Sequence, residues 1–365
     1  AAHNIGNTVI LFLVVSIALT AILLSLVHPI VVAMSTPADA VSGTVTYLTI
    51  CFIGIPFITS YNIISSIFRG LGDSKSPMCF IATACAANIA LDYLFMGVMH
   101  LGPAGAALGT TLSQAISVVV SLTVILKRRS IVLKKSDFKP CRAVMGKILG
   151  IGIPIAFQDG LIQVAFIIIT IIANQRGLND AAAVGIVEKV ISFLFLVPSS
   201  MLSTVSALGA QNIGAGKPER AIQTLRYAVM LAAGFGVLAS IAIQFTAEGI
   251  VSLFTDPSTA DGAAVVRFGG QYLRGYIFDC IFAGIHFSFS GFFCACRKSG
   301  LSFLHNILAI VLMRVPGVYV TSKLFPATLL PMGLATAAGS LLSVVICLIA
   351  FGVIRRKSTL VLVEE

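Results

Sequence analysis

Apolar residues fall along this chain in long blocks. Runs of about 20 residues, enough for a helix to cross a bilayer, occur at 8–34, 45–68, 77–99, 104–126, 148–173, 183–208, 228–250, 272–294, 301–321 and 335–354. Most end at Gly, Pro or charge. Membrane strands would instead show segments of roughly ten residues alternating with period two, and no stretch alternates. Ten apolar blocks joined by short polar turns leave no room for a soluble core. The pattern predicts an all-α polytopic membrane protein.

Composition agrees: 58% of residues are hydrophobic, 10% are charged and mean hydropathy is +1.02, whereas soluble domains carry about 25% charge. The net charge of +10 is best read by position, because basic residues in short loops stay cytoplasmic. One set of loops holds eighteen Lys and Arg, eight of them between Lys127 and Lys147, and the opposite set holds only Arg176, Arg267 and Lys323. Both chain ends are therefore expected in the cytoplasm, in the cell membrane. The charge reports topology, and no soluble basic domain exists to bind nucleic acid. Seven of the eight cysteines lie in or at the ends of spans, and Cys141 lies in the basic loop. Cys294 and Cys296 are spaced for neither a zinc ribbon nor a redox motif. They read as small packing residues.

The blocks repeat. Pro37 to Ser74, with Tyr47 and an exit running from Phe68 to Ser74, parallels Pro257 to Ser299, with Tyr272 and an exit from Phe293; Gly102-Pro103 parallels Leu330-Pro331. The offset is about 220 to 228 residues. Spans one to four thus pair with spans seven to ten. Spans five and six have no partners, so two helices are expected upstream of Ala1. The chain divides into an N-terminal bundle at 1–129, a basic cytoplasmic linker at 130–147, a six-helix bundle at 148–357 and a tail at 358–365. Paired parallel halves suit a transporter with its ligand cavity between or within them.

Intramembrane acids supply candidate chemistry, since a carboxylate at membrane depth costs about 2.5–3.5 kcal/mol on insertion scales. Asp92 and Asn88 stand four residues apart, on one helix face; together they can share a proton, bind a hard cation such as Na⁺, or cap and cross-link helices. Asp279 lies two turns into the eighth span, where Arg274 is one available partner. Asp159 suits an inter-helix hydrogen bond or a cavity role equally. Lys189 is placed to snorkel, and Arg314, mid-span, is expected to pair with an acid or with helix carbonyls. Phe193, Phe195, Phe287, Phe289, Phe292 and Phe293 are expected to pack helices or face lipid. Gly54-Ile55-Pro56, Gly152-Ile153-Pro154 and Pro316-Gly317 mark bending points or close packing. Gly209 to Lys217 lacks the Lys that a phosphate loop requires after its second Gly, where Ala215 stands. ATP-driven transport, enzymatic catalysis and bound cofactors are therefore not expected.

Three stretches resemble the multidrug and toxin extrusion (MATE) exporters: Arg69-Gly70-Leu71-Gly72-Asp73, Asn88-Ile89-Ala90-Leu91-Asp92, and Gly209 to Gly216 followed by Arg220. The likeness extends over essentially the whole chain, short of the family's first two helices. It implies ion coupling at Asn88 and Asp92 with a hydroxyl from the next helix, where Thr110 stands, so a Na⁺ site at Asp92, Asn88 and Thr110 is one expectation. Asn62 adds a further oxygen. It also implies a cation-binding role for Asp279, although the family's partner glutamate is replaced by Gln158, Asp159 and Gln163. The implied function is antiport by a monomer, with H⁺ or Na⁺ moving in as a small organic cation leaves. The alternatives are a flippase for lipid-linked saccharides and a non-transporting receptor or scaffold.

Overall fold

The computed structural model describes residues 2–33, 38–128 and 134–356. Pro37, Arg129, residues 130–133 of the expected linker, Lys357 and the 358–365 tail lie outside them. Among the described residues there are ten helices long and apolar enough to span a membrane, one for each block read from the sequence, and no strand. The chain divides into two compact units, residues 1–148 and 149–365.

The first unit contains four spans: Ala2–Ser25, Ala40–Gly70, Lys75–Val98 and Gly102–Ile125. The second is broken at Gly54, between helices Ala38–Ile53 and Ile55–Gly70. Pro56 has no N–H, and its ring displaces the carbonyl four residues back, that of Phe52. A neighbour satisfies it: the Thr20 hydroxyl donates to Phe52 O at 3.3 Å. Thr111 likewise donates to Ile50 O at 3.3 Å. The third and fourth spans pack together, with the Ser117 hydroxyl on Phe80 O at 3.0 Å and Phe80 edge-on to Phe68 at 5.5 Å. Asn7, with no exposed surface, holds the basic loop against the first span, donating to Lys139 O and accepting from Cys141 N at 2.7 Å. There the loop forms a short 3₁₀ turn, Lys135–Phe138.

The second unit contains Arg142–Asn174 from its eighth residue onward, then Leu178–Gly214, Pro218–Val251, Ala260–Ala295, Ser299–Leu324 and Leu330–Arg355. The fifth span begins six residues before the expected 148, because Arg142 to Lys147 continue the helix with a polar turn. Ala260–Ala295 is the axis of the unit: 72% of its most apolar window is buried, against 22–39% for the others. Small residues let neighbours approach it. At Gly275 and Gly333 the eighth and tenth spans cross so closely that a side chain on either would strike the other's backbone.

Proline is handled here as in the first unit. Pro154 sits inside an unbroken helix, and the carbonyl it frees, Gly150 O, accepts the Ser299 hydroxyl at 3.2 Å. Pro316 follows a π-helical turn, Ile310–Arg314. The repeated exits match as well. Phe68 O accepts from Asp73 N at 2.9 Å and Phe293 O from Lys298 N at 2.7 Å, with Gly72 and Arg297 in the left-handed conformation at φ 89° and 57°. Those bonds close each helix end around an equivalent buried phenylalanine.

Candidate functional site

In the first unit, Asp92 is the last residue of helix Lys75–Asp92 and a π-helical turn, Tyr93–Val98, follows it. Such turns concentrate at functional positions. The third span crosses the fourth at Gly109, where Asp92 Oδ1 occupies the volume a Cβ would take. Only glycine leaves room for the carboxylate. Asp92 Oδ1 and Asn88 Nδ2 are both buried atoms without a hydrogen-bond partner. Buried polar atoms are nearly always paired, so this face of the helix is poised for a ligand, a proton or water.

No hydrogen bond joins Thr110 to that carboxylate. Its exposed hydroxyl donates to Ala106 O at 3.1 Å, the back-bond open to Thr in any helix. That back-bond uses the Thr110 proton and leaves the lone pairs of its oxygen open. Asn62 is also exposed and donates to Ile58 O at 2.9 Å within its own helix. On the fourth span, Gln114 Oε1 is also buried without a partner. Nothing in the pattern marks Gln114, which lies in a span rich in small polar residues. The unit also holds an apolar cavity of about 260 Å³ lined by residues including Ile5, Leu13, Ile64, Val118 and Phe138.

In the second unit the buried charges are paired. Asp279 has no exposed surface, and Arg314 Nη2 donates to its Oδ2 at 2.5 Å and to Ser340 Oγ at 3.1 Å. The pairing of Arg314 with an acid is as expected. That of Asp279 with Arg274 is not: Arg274 turns to Glu248 at 3.1 Å, because positions five apart point to different sides of a helix. A second polar chain runs alongside. His305 meets Ser290 at 2.8 Å and Ser343 at 2.6 Å, and its ring lies 5.5 Å from that of His286. A small cavity of about 50 Å³ reaches His286, Asn306, Arg314 and Ser340 between Phe166 and Phe195.

Asp159 is exposed on the fifth span, and the adjacent Gln158 is fully buried with both amide atoms unpaired. Glu188 is half-buried and accepts from the Thr170 hydroxyl at 3.3 Å, while Lys189 is exposed. Phe292 and Phe293 are core residues and Phe193 is 74% exposed. Among the described residues no cluster of His, Cys, Asp and Glu is arranged for a metal ion.

The profile of the MatE family matches residues 1–94 and 154–320. The chain belongs to the MatE family. Among curated relatives of this MatE chain, the probable multidrug resistance protein YpnP of Bacillus subtilis is 30% identical over 84% of the chain and 66% of its own length. The FAD transporter of Shewanella oneidensis is 27% identical over 74% of the chain and 60% of its own length. A MATE crystal structure in complex with MaL6 overlays with a TM-score of 0.90 at 20% identity, over 98% of this chain and 80% of that one. The MatE fold and a multi-pass membrane protein follow, and members of the family are transporters rather than enzymes. The chain spans about two thirds or less of the length of those two curated relatives.

Proposed function

We propose that this MatE protein is a secondary active exporter of cationic amphiphilic compounds, with Asp92 as the residue that couples export to an inward ion, and that the ion is H⁺. The carrying observation is Asp92 Oδ1, buried and unpartnered beside the unpartnered Asn88 amide, on a helix that loosens into a π turn one residue later. A proton neutralises a carboxylate, and an organic cation needs it charged. Occupancy by proton and by drug therefore oppose each other, which is the thermodynamic content of antiport. No hydrogen bond ties Thr110 or Asn62 to Asp92, and a lone carboxyl that one proton neutralises supports H⁺ as the ion.

The apolar cavity of about 260 Å³ suits the hydrophobic part of an amphiphile. The excess of basic residues in one set of loops supports a cytoplasmic side for both ends of the chain in the cell membrane. Asp159, exposed on the fifth span, is a further acid available to a cationic substrate. The FAD-transporting relative makes anionic cargo the competing reading, and Arg314 would be the residue to serve it; the guanidinium is already neutralised by Asp279. We take the protein to act as a monomer.

The test is efflux of ethidium and, separately, of FAD from proteoliposomes holding the full-length protein, under an imposed pH gradient or an imposed sodium gradient. The proposal expects ethidium movement with the pH gradient, abolished in Asp92→Asn. FAD movement that survives Asp92→Asn would replace it with the anionic reading.

A further inference from the structure

Each unit packs a charged side chain of its penultimate span against a glycine of its last span, with opposite sign in the two units. In the first, Asp92 of the third span rests on Gly109 of the fourth; in the second, Arg314 of the ninth span rests on Gly339 of the tenth, where an added Cβ would fall 2.7 Å from the Arg314 Cβ. Each charge also adjoins a π-helical turn, Tyr93–Val98 after Asp92 and Ile310–Arg314 ending at the arginine. The offsets are 222 and 230 residues, against the repeat of about 220 to 228 read from the sequence. The residue that answers Arg314 is Asp279, and its counterpart one repeat earlier is near Gly54, which carries no charge.

The resemblance to sodium-coupled exporters implies a cation at Asp279, and the residues present do not fit one. The guanidinium lies 2.5 Å from Oδ2 and also holds Ser340 Oγ, so a mobile cation approaching that oxygen meets a permanent positive charge already in place. Arginine stays protonated at any physiological pH, so it cannot step aside by losing its charge. The other oxygens nearby are poor in partners but not in number: Asp279 Oδ1 and the Tyr276 and Tyr272 hydroxyls are all buried and unpaired. Together with Ser340 they would form an oxygen-lined pocket if the guanidinium were removed.

We infer that Arg314 is a resident counter-ion, covalently tethered at the place a small monovalent cation would otherwise take beside Asp279, so that the second unit keeps its acid charged without drawing an ion from solvent. The inference does not depend on the transport reading, because it concerns binding.

The test measures the thermal unfolding midpoint of the purified full-length protein in sodium chloride and in choline chloride at equal ionic strength. All variants carry Asp92→Asn, which silences the first unit. With Arg314 present, sodium is expected to leave the midpoint unchanged. Arg314→Met is expected to lower the midpoint in choline and to recover several degrees, saturably, as sodium is added. Adding Asp279→Asn to that variant is expected to abolish the recovery. A sodium response with Arg314 in place that Asp279→Asn removes would overturn the inference, as would a folded Arg314→Met variant that responds to neither sodium, lithium nor potassium. Should Arg314→Met not fold in choline, Arg314→Ser with millimolar guanidinium replaces it. Recovery by the free ion supports the tethered-counter-ion role, and no recovery by guanidinium or sodium rejects it.

Discussion

Asp92 and Asp279 are the same residue type at membrane depth, yet the protein treats them differently. Asp279 is fully buried and bound to Arg314, while Asp92 is half-buried, with one oxygen wedged against Gly109 and no partner for it. A buried ion pair is expensive to break from one side and cheap to replace as a whole. An unpartnered acid is the reverse: it adds little stability and keeps its chemistry available. The contrast separates an acid that holds a structure from one that can change state.

The largest effect expected from breaking this contrast is on folding. Asp279→Asn and Arg314→Met should each destabilise the protein by about 3–5 kcal/mol, and the double variant should recover most of that loss. Chemical denaturation in detergent checks the cycle, and additive losses would deny the pairing. Next, Asp92→Asn should cut gradient-driven efflux by tenfold or more while moving stability by less than about 1 kcal/mol, since no buried partner is left behind. Efflux and unfolding measured on one preparation would show whether function and stability part as stated. Gly109→Ala should act on the same site from the other side. The new methyl displaces the carboxylate, so efflux should fall several-fold, and Gly339→Ala should instead lower the unfolding midpoint by crowding Arg314. Smallest of all, Thr20→Val and Ser299→Ala each remove one hydroxyl from a proline-freed carbonyl and should cost about 0.6–1.7 kcal/mol.

Much of this architecture could be read from sequence because a bilayer imposes one crude demand, about 20 apolar residues per crossing. The repeated exits were legible for a similar reason: a helix end at Gly72 or Arg297 needs a local left-handed turn whose signal lies within a few residues. The pairing of the charges was not. Arg314 lies 35 residues from Asp279, beyond a complete helix, and only tertiary packing chooses it over the nearer Arg274. Neighbouring helix positions differ by about 100°, which is why Gln158 is buried and Asp159 exposed although the two are equally polar to a sequence reader. Thr110 shows a third limit. A hydroxyl in a helix always has its own carbonyl to turn to, and here it does.

The separation of Asp279 and Arg314 also bears on how the protein enters the membrane. During synthesis the eighth span reaches the insertion machinery carrying an unneutralised acid, and the arginine that answers it follows 35 residues later, a delay of roughly 2–7 s at ordinary elongation rates. Alone, each span bears an insertion penalty of about 2.5–3.5 kcal/mol for its charge. Delivered together, as a hairpin with the short turn at Arg297, they enter as a neutral pair. A pair formed before entry would spare both spans that penalty at once.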